Sequence, residues 1–143
     1  MKLQKLQMIN PEALGAPRGW NNGVLAPKNG RILFIAGQAG WETDLPGTPP
    51  PFTEQFARAL DRVLAIIREA GGGPTDLARL TIYVTNVAEY HGSVKELGAI
   101  WRARLEKHYP AVALLEVKGL VDRGAVVEME ATAVISDGDE GGR

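Results

Sequence analysis

Apolar residues along this chain recur with two different periods, and the switches between them mark out its elements. In the stretch Val126-Val127-Glu128-Met129-Glu130-Ala131-Thr132-Ala133-Val134 they fall on alternate positions. That alternation predicts a strand, because successive side chains on a strand point to opposite faces. Two apolar runs between Gly23 and Gly37 flank Pro27-Lys28-Asn29-Gly30, a pattern that predicts a hairpin because Asn-Gly readily supplies positive φ at a turn. From Phe52 the period becomes helical. Phe56, Leu60, Val63, Leu64 and Ile67 form one stripe, and Ala70-Gly71-Gly72-Gly73-Pro74 ends it. Leu77 to Val87 returns to strand character. A second helix is expected over Val87 to His108, with Val94, Leu97, Trp101 and Leu105 as its apolar stripe and Pro110 beyond its end. Strands over Ala111 to Lys118 and Ala125 to Ile135 complete the pattern, joined by Gly119 to Gly124. A first strand is expected near residues 3–9, and the loop from Glu42 to Pro51, rich in Pro, Gly and Thr, reads as a surface connection.

This order predicts an α+β domain over residues 1–135, with a flexible polar tail at 136–143. The expected architecture is a six-stranded mixed sheet with two helices covering one face. In the last strand Val127, Met129, Ala131, Ala133 and Ile135 share the face that the helices would cover. Glu128, Glu130 and Thr132 share the other. In the preceding strand Val112, Leu114 and Glu116 share one face, while Ala113, Leu115 and Val117 share the other, so both faces are substantially apolar. A sheet of that kind is poorly solvated on its uncovered side, which points to self-association through that face.

Composition narrows the chemistry. A length of 143 residues suits one domain with a single core. The net charge of −1 provides no field for nucleic acid or anionic membrane, and no basic stripe interleaved with aromatic residues supports RNA binding. With no cysteine, disulfides, thiolate nucleophiles and thiolate metal sites are excluded. His91 and His108 are the only histidines and read as exposed helix residues without metal-site spacing. Gly71-Gly72-Gly73 follows a helix and lacks a Lys-Ser/Thr ending, so it is not a phosphate loop. No apolar run is long enough to span a bilayer, and the N-terminus lacks a signal-peptide core, so a cytoplasmic protein is expected.

Four motifs in this order carry a family resemblance: Ala36-Gly37-Gln38, the strand Leu80-Thr81-Ile82-Tyr83-Val84-Thr85-Asn86-Val87, Tyr109-Pro110-Ala111, and Val127-Glu128-Met129-Glu130-Ala131. From about Val24 to Val134 the chain resembles the YjgF/RidA family of reactive-intermediate deaminases. The resemblance implies a chorismate-mutase-like subunit, a homotrimer with small-molecule clefts between subunits, and hydrolysis of enamines and imines such as 2-aminoacrylate without metal or organic cofactor. It further implies that Glu128 holds and polarises the attacking water, while Glu130 has a structural role in the trimer centre. A carboxylate in a partly apolar cleft is suited to act as acid or base; its bland alternative is an ion pair across the interface. Gly37 would line the cleft, where the absence of a Cβ allows close approach. Gln38 would contact ligand or hydrogen-bond a loop.

Two positions depart from the family pattern. Trp20 stands where the deaminases usually carry a tyrosine, so an aromatic wall is kept but the hydroxyl is lost. Val112 stands where an arginine grips the substrate carboxylate, and valine cannot do so. Leu114, on the same strand face, would add to an apolar cleft wall. Arg18 and Lys118 are candidate replacement cations, but nothing in the sequence places either beside Val112. The cleft is expected to prefer a neutral or more apolar ligand. Two functions follow: a cofactor-free hydrolase of altered specificity, or a noncatalytic trimer that binds a small metabolite or a partner protein in the same clefts.

Overall fold

The computed structural model describes residues 5–136, so the tail expected at 136–143 lies outside it except for Ser136. Among the described residues there are six strands, but they form two sheets instead of one. A two-stranded ribbon joins β1 (Gln7–Ile9) to β2 (Gly23–Leu25), and a four-stranded mixed sheet has the order β3-β6-β4-β5. Here β3 spans Arg31–Ala39, β4 Leu77–Val84, β5 Ala111–Glu116 and β6 Val127–Ile135. The helices are α1 (Phe52–Glu69), α2 (Val87–Gly92) and α3 (Val94–Leu105).

The expected hairpin does not form. Its turn exists, with the Gly30 amide donating to the Pro27 carbonyl, but β2 pairs with β1 and β3 pairs antiparallel with β6. Strand length explains the choice. β2 has three residues, whereas β3 and β6 have nine each, so pairing β3 with β6 satisfies far more backbone donors and acceptors. Gly30 also sits directly against Val134, where a Cβ would approach to 2.3 Å. The β4–β5 pair is parallel, connected through α2 and α3, and β6 runs antiparallel between β3 and β4.

The face expected to be buried is buried. Val127, Met129 and Ala133 of β6 are fully inaccessible, as are Leu80 and Val84 of β4, and they meet Ala59, Leu60, Val63 and Ile67 of α1. Each large side chain in that set contributes about 1.5–3 kcal/mol by leaving water. α1 ends in paired hydrogen bonds from Gly71 to Arg68 and from Gly72 to Ile67, with Gly71 at φ 90°. This left-handed cap favours glycine at that position.

The second expected helix is broken. α2 starts at Asn86, whose side chain accepts from the Ala88 amide, and ends at Gly92. α3 begins after Ser93, whose carbonyl accepts from Leu97, and stops at Leu105 because Glu106 takes φ 53°. Gly92-Ser93 supplies the weak point, since both residues are poor helix formers. His108 therefore lies beyond the helix, half-buried, with its Nε2 2.7 Å from the Leu77 carbonyl, and only His91 is an exposed helix residue. Among the described residues no helix is long and apolar enough to cross a membrane.

Buried Gln55 ties the two long loops to this frame. Its Nε2 donates to the Pro50 and Gly124 carbonyls, and its Oε1 accepts from the Val126 amide. The Thr43 amide and hydroxyl both donate to Asp122, fastening one loop to the other.

Candidate functional site

Two faces of the four-stranded sheet receive the candidate residues, and they share them out. On the helix side, a cavity of about 600 Å³ lies between α2, α3 and the strands β4 and β5. Val112 and Leu114 point into it from β5, because they pair with Leu80 and Ile82 of β4, which belong to the helix-covered face. Trp20 closes the mouth, carried by a loop that is pinned to the start of β5. The Asn21 amide donates to the Pro110 carbonyl at 2.9 Å, and the Asn21 side chain donates to the Tyr109 carbonyl. Gly19, at φ 81°, provides the turn that precedes Trp20.

Sequence reasoning missed most of this cavity. Its deeper wall is aromatic: the Trp101 and Tyr109 rings stack with centroids 6.1 Å apart and planes 4° from parallel, and Tyr90 faces in from α2. The Trp101 indole N–H is already committed to the His108 carbonyl at 3.0 Å. Three cations, Arg18, Lys95 and Arg102, border the space, and among the described residues no acidic side chain lines it. Lys118 does not line it, so of the two candidate replacement cations only Arg18 is brought to the cavity.

Among the described residues no helix covers the opposite face. Glu128 of β6 stands beside Tyr83 of β4 in register, and its carboxylate lies against the backbone of Gly37, where a Cβ would come 2.9 Å from Glu128 Oε2. The room left by the missing Cβ of Gly37 is taken by the Glu128 carboxylate. Among the described residues the half-buried Glu128 carboxylate accepts no hydrogen bond. Glu130 differs: it accepts the Tyr83 hydroxyl at 2.7 Å, and in the single chain it is the more exposed of the two glutamates. That hydrogen bond is the main cause holding the Tyr83 phenol above its ordinary value of 10.0, with desolvation and the charges of Glu130 and Glu128 adding to it and Arg79 opposing.

Gln38 joins neither group. The β-bulge between Ile35 and Gln38 turns it aside; its side chain donates to the Ala36 carbonyl at 2.9 Å and accepts from Arg62 Nε at 3.0 Å. Both partners belong to regular elements, Ala36 to β3 itself and Arg62 to α1, so the expected bond to a loop is not made. Large apolar groups surround the glutamates on the open face: Phe34 is 79% exposed, Ile32 61% and Leu115 44%. Among the described residues no group of three or more His, Cys, Asp or Glu side chains is arranged to hold a metal ion.

Within one chain, then, Glu128 and Gly37 occupy one side of the sheet, while Trp20, Val112 and Leu114 occupy the other. Residues 11–135 match the family described as Endoribonuclease L-PSP. A RutC family protein of Aquifex aeolicus is 33% identical over 105 residues, covering 72% of this chain and 80% of the relative. The fold is similar to that of a Rid-family protein of Yersinia pestis, YyfB, at a TM-score of 0.74 and 29% identity, covering 92% of this chain and 100% of that one. RidA from the Antarctic bacterium Psychrobacter superposes with a TM-score of 0.60 at 26% identity, covering 92% of this chain and 99% of the other.

Proposed function

Because the chain belongs to the YjgF/RidA family, the family described as Endoribonuclease L-PSP, we propose that it is a cofactor-free hydrolase of a small reactive enamine or imine. We place its reaction in clefts between the subunits of a homotrimer. Copies meet through the open sheet faces, which buries Ile32, Phe34 and Leu115. Glu128 and Gly37 of one copy then complete the cavity of the next. Burial of such apolar surface is the driving force, and obligate interfaces of this kind exceed about 2,000 Å².

The observation that carries the reading is the Glu128 carboxylate, half-buried against Gly37 and without a hydrogen bond among the described residues. A buried polar group ordinarily finds a partner, and a carboxylate left without one is available to accept a hydrogen bond from water. As that water adds to the carbon of a C=N bond, Glu128 takes its proton and then returns it to nitrogen. The remaining hydroxyl proton passes to nitrogen by the same carboxylate, the C–N bond of the tetrahedral adduct breaks, ammonia leaves and a carbonyl remains. Positioned proton transfer of this kind is worth about 10²–10⁴-fold in rate.

One observation favours a second reading, a noncatalytic trimer that binds its ligand without turning it over. Val112 and Leu114 make the cavity wall apolar at the place where the family's arginine would hold a carboxylate. Ammonia release from imines generated in situ by an amino-acid oxidase separates the two. The hydrolase reading expects release above the spontaneous rate, with 2-aminoacrylate among the poorest substrates and partial gain on it for Val112→Arg. Ligand binding with no ammonia above background would leave only the binder.

A further inference from the structure

The three cations at the cavity mouth are unexplained by that proposal, and their arrangement is not casual. Lys95, Gly98 and Arg102 fall at helical spacings of three and four, so they share one stripe of α3. Glycine within a helix costs about 1 kcal/mol relative to alanine. Here it leaves room for a guanidinium, since a Cβ at Gly98 would stand 3.1 Å from Arg102 Nη1. Arg102 thus lies back along the helix over Gly98, towards Lys95, with both bordering the cavity. Arg18 adds a third cation from the Trp20 loop. None of the three has an ion-pair partner among the described residues. Behind them the cavity is walled by Trp20, Tyr90, the stacked Trp101–Tyr109 pair, Val112 and Leu114.

We propose that this cavity selects an aromatic anion, a 2-oxo or 2-imino acid with a ring in its side chain. The ring lies against the aromatic wall, and the carboxylate sits at the mouth on Lys95 and Arg102. The anchor that Val112 cannot supply from β5 is supplied from α3, at the other end of a longer ligand. A volume of about 600 Å³ is within the range of ordinary ligand pockets, about 300–1,000 Å³, whereas a three-carbon enamine would leave most of it to water. This rests on the helix-side cavity being the ligand cleft of the proposed function, and not on Glu128 chemistry.

The test uses the full chain and stable probes: phenylpyruvate, which has ring and carboxylate; pyruvate, which has only the carboxylate; and phenylacetone, which has only the ring. Indole fluorescence, reporting Trp20 and Trp101, and calorimetry should show phenylpyruvate binding at least tenfold tighter than either control. Lys95→Gln and Arg102→Gln should each weaken phenylpyruvate by about tenfold and leave phenylacetone within about twofold, as expected for loss of a charge-assisted hydrogen bond worth about 1.5 kcal/mol. Equal affinity for phenylpyruvate and phenylacetone overturns the anchor, and equal affinity for phenylpyruvate and pyruvate overturns the aromatic wall. Variants that bind phenylpyruvate normally but lose the assembly would make the cations interface ion pairs instead, which also overturns it. Phenylpyruvate binding without any imine turnover would sink the hydrolase and leave the anchor standing. Turnover indifferent to Lys95 and Arg102 would do the reverse.

Discussion

The helix side and the open side of the same sheet solve opposite problems. The helix side holds a finished core and a walled cavity, with Met129, Leu80 and Ile67 fully buried and Trp101 and Tyr109 stacked. The open side leaves Phe34 and Ile32 exposed around the Glu128 carboxylate, which accepts no hydrogen bond among the described residues. A single β6 strand serves both, with Met129 turned one way and Glu128 the other. The difference teaches that one strand can finish a core on one side and leave apolar groups and a carboxylate open on the other. One face is satisfied by its own chain, and the other is the face through which we propose that copies meet.

The strongest way to break this comparison is to make the open face self-sufficient. Phe34→Glu puts a charge where the proposed interface buries a ring, and it should weaken assembly by at least about 3 kcal/mol per copy. Sedimentation velocity should then report monomer, with the far-ultraviolet dichroism of the wild type retained. Because Phe34 makes little use of its own chain's core, the same change should barely shift monomer unfolding. Leu60→Ala on the helix side should do the opposite, costing about 2–5 kcal/mol of folding stability as read by denaturant titration.

A narrower test separates the two glutamates. Glu128→Gln keeps shape and removes charge, so turnover should fall about 10²–10⁴-fold while assembly and unfolding midpoint stay near wild type. Gly37→Ala should act through the same atom. Its Cβ would press on Glu128 Oε2 at 2.9 Å, so the carboxylate must move, and kcat should drop about tenfold for a displacement of this size.

The smallest expected effect concerns Tyr83 and Glu130. The hydrogen bond raises the folded-state pKa of Tyr83 above its unfolded value. Its contribution is therefore fully present below the ordinary tyrosine range and is lost as pH rises through the elevated folded value. Tyrosinate absorbance should show the Tyr83 phenol titrating above its ordinary value of 10.0, and Glu130→Gln should bring it back down towards that value. No delayed titration would mean that the hydrogen bond is absent in solution.

The alternation in β6 and β5 made the faces of the sheet legible from the sequence, and Glu128 fell where that alternation put it. The stripe of α1 and its triple-glycine stop were equally plain, because one helix and one cap decide them locally. What could not be read was pairing. The Asn29-Gly30 turn is real, yet β3 leaves it to join a strand about a hundred residues on, and turn chemistry does not register the greater length of β6. The cavity was half legible. Val112 was recognised by its place in the family motif and Leu114 by sharing its strand face, but Tyr90, Lys95 and Arg102 enter only through the packing of α2 and α3 against β5. Their one local signal was Gly98 between two cations on a helix stripe. Gln38 was misleading because the bulge before it changes its face, and a bulge of one residue leaves no mark in an alternating sequence.

The central claim, that a working site takes Glu128 from one copy and the cavity from another, is tested most directly by mixing two inactive variants. Glu128→Gln lacks the water-holding carboxylate, and Val112→Trp fills the cavity. Each alone should form assemblies with negligible imine hydrolysis. Denatured together in equal amounts and refolded, they should regain about a quarter of the wild-type rate, since random assembly pairs an intact Glu128 with an intact neighbouring cavity at about that frequency. No recovery in mixed assemblies whose composition is verified by native mass spectrometry would place both halves of the site in one chain and contradict the account.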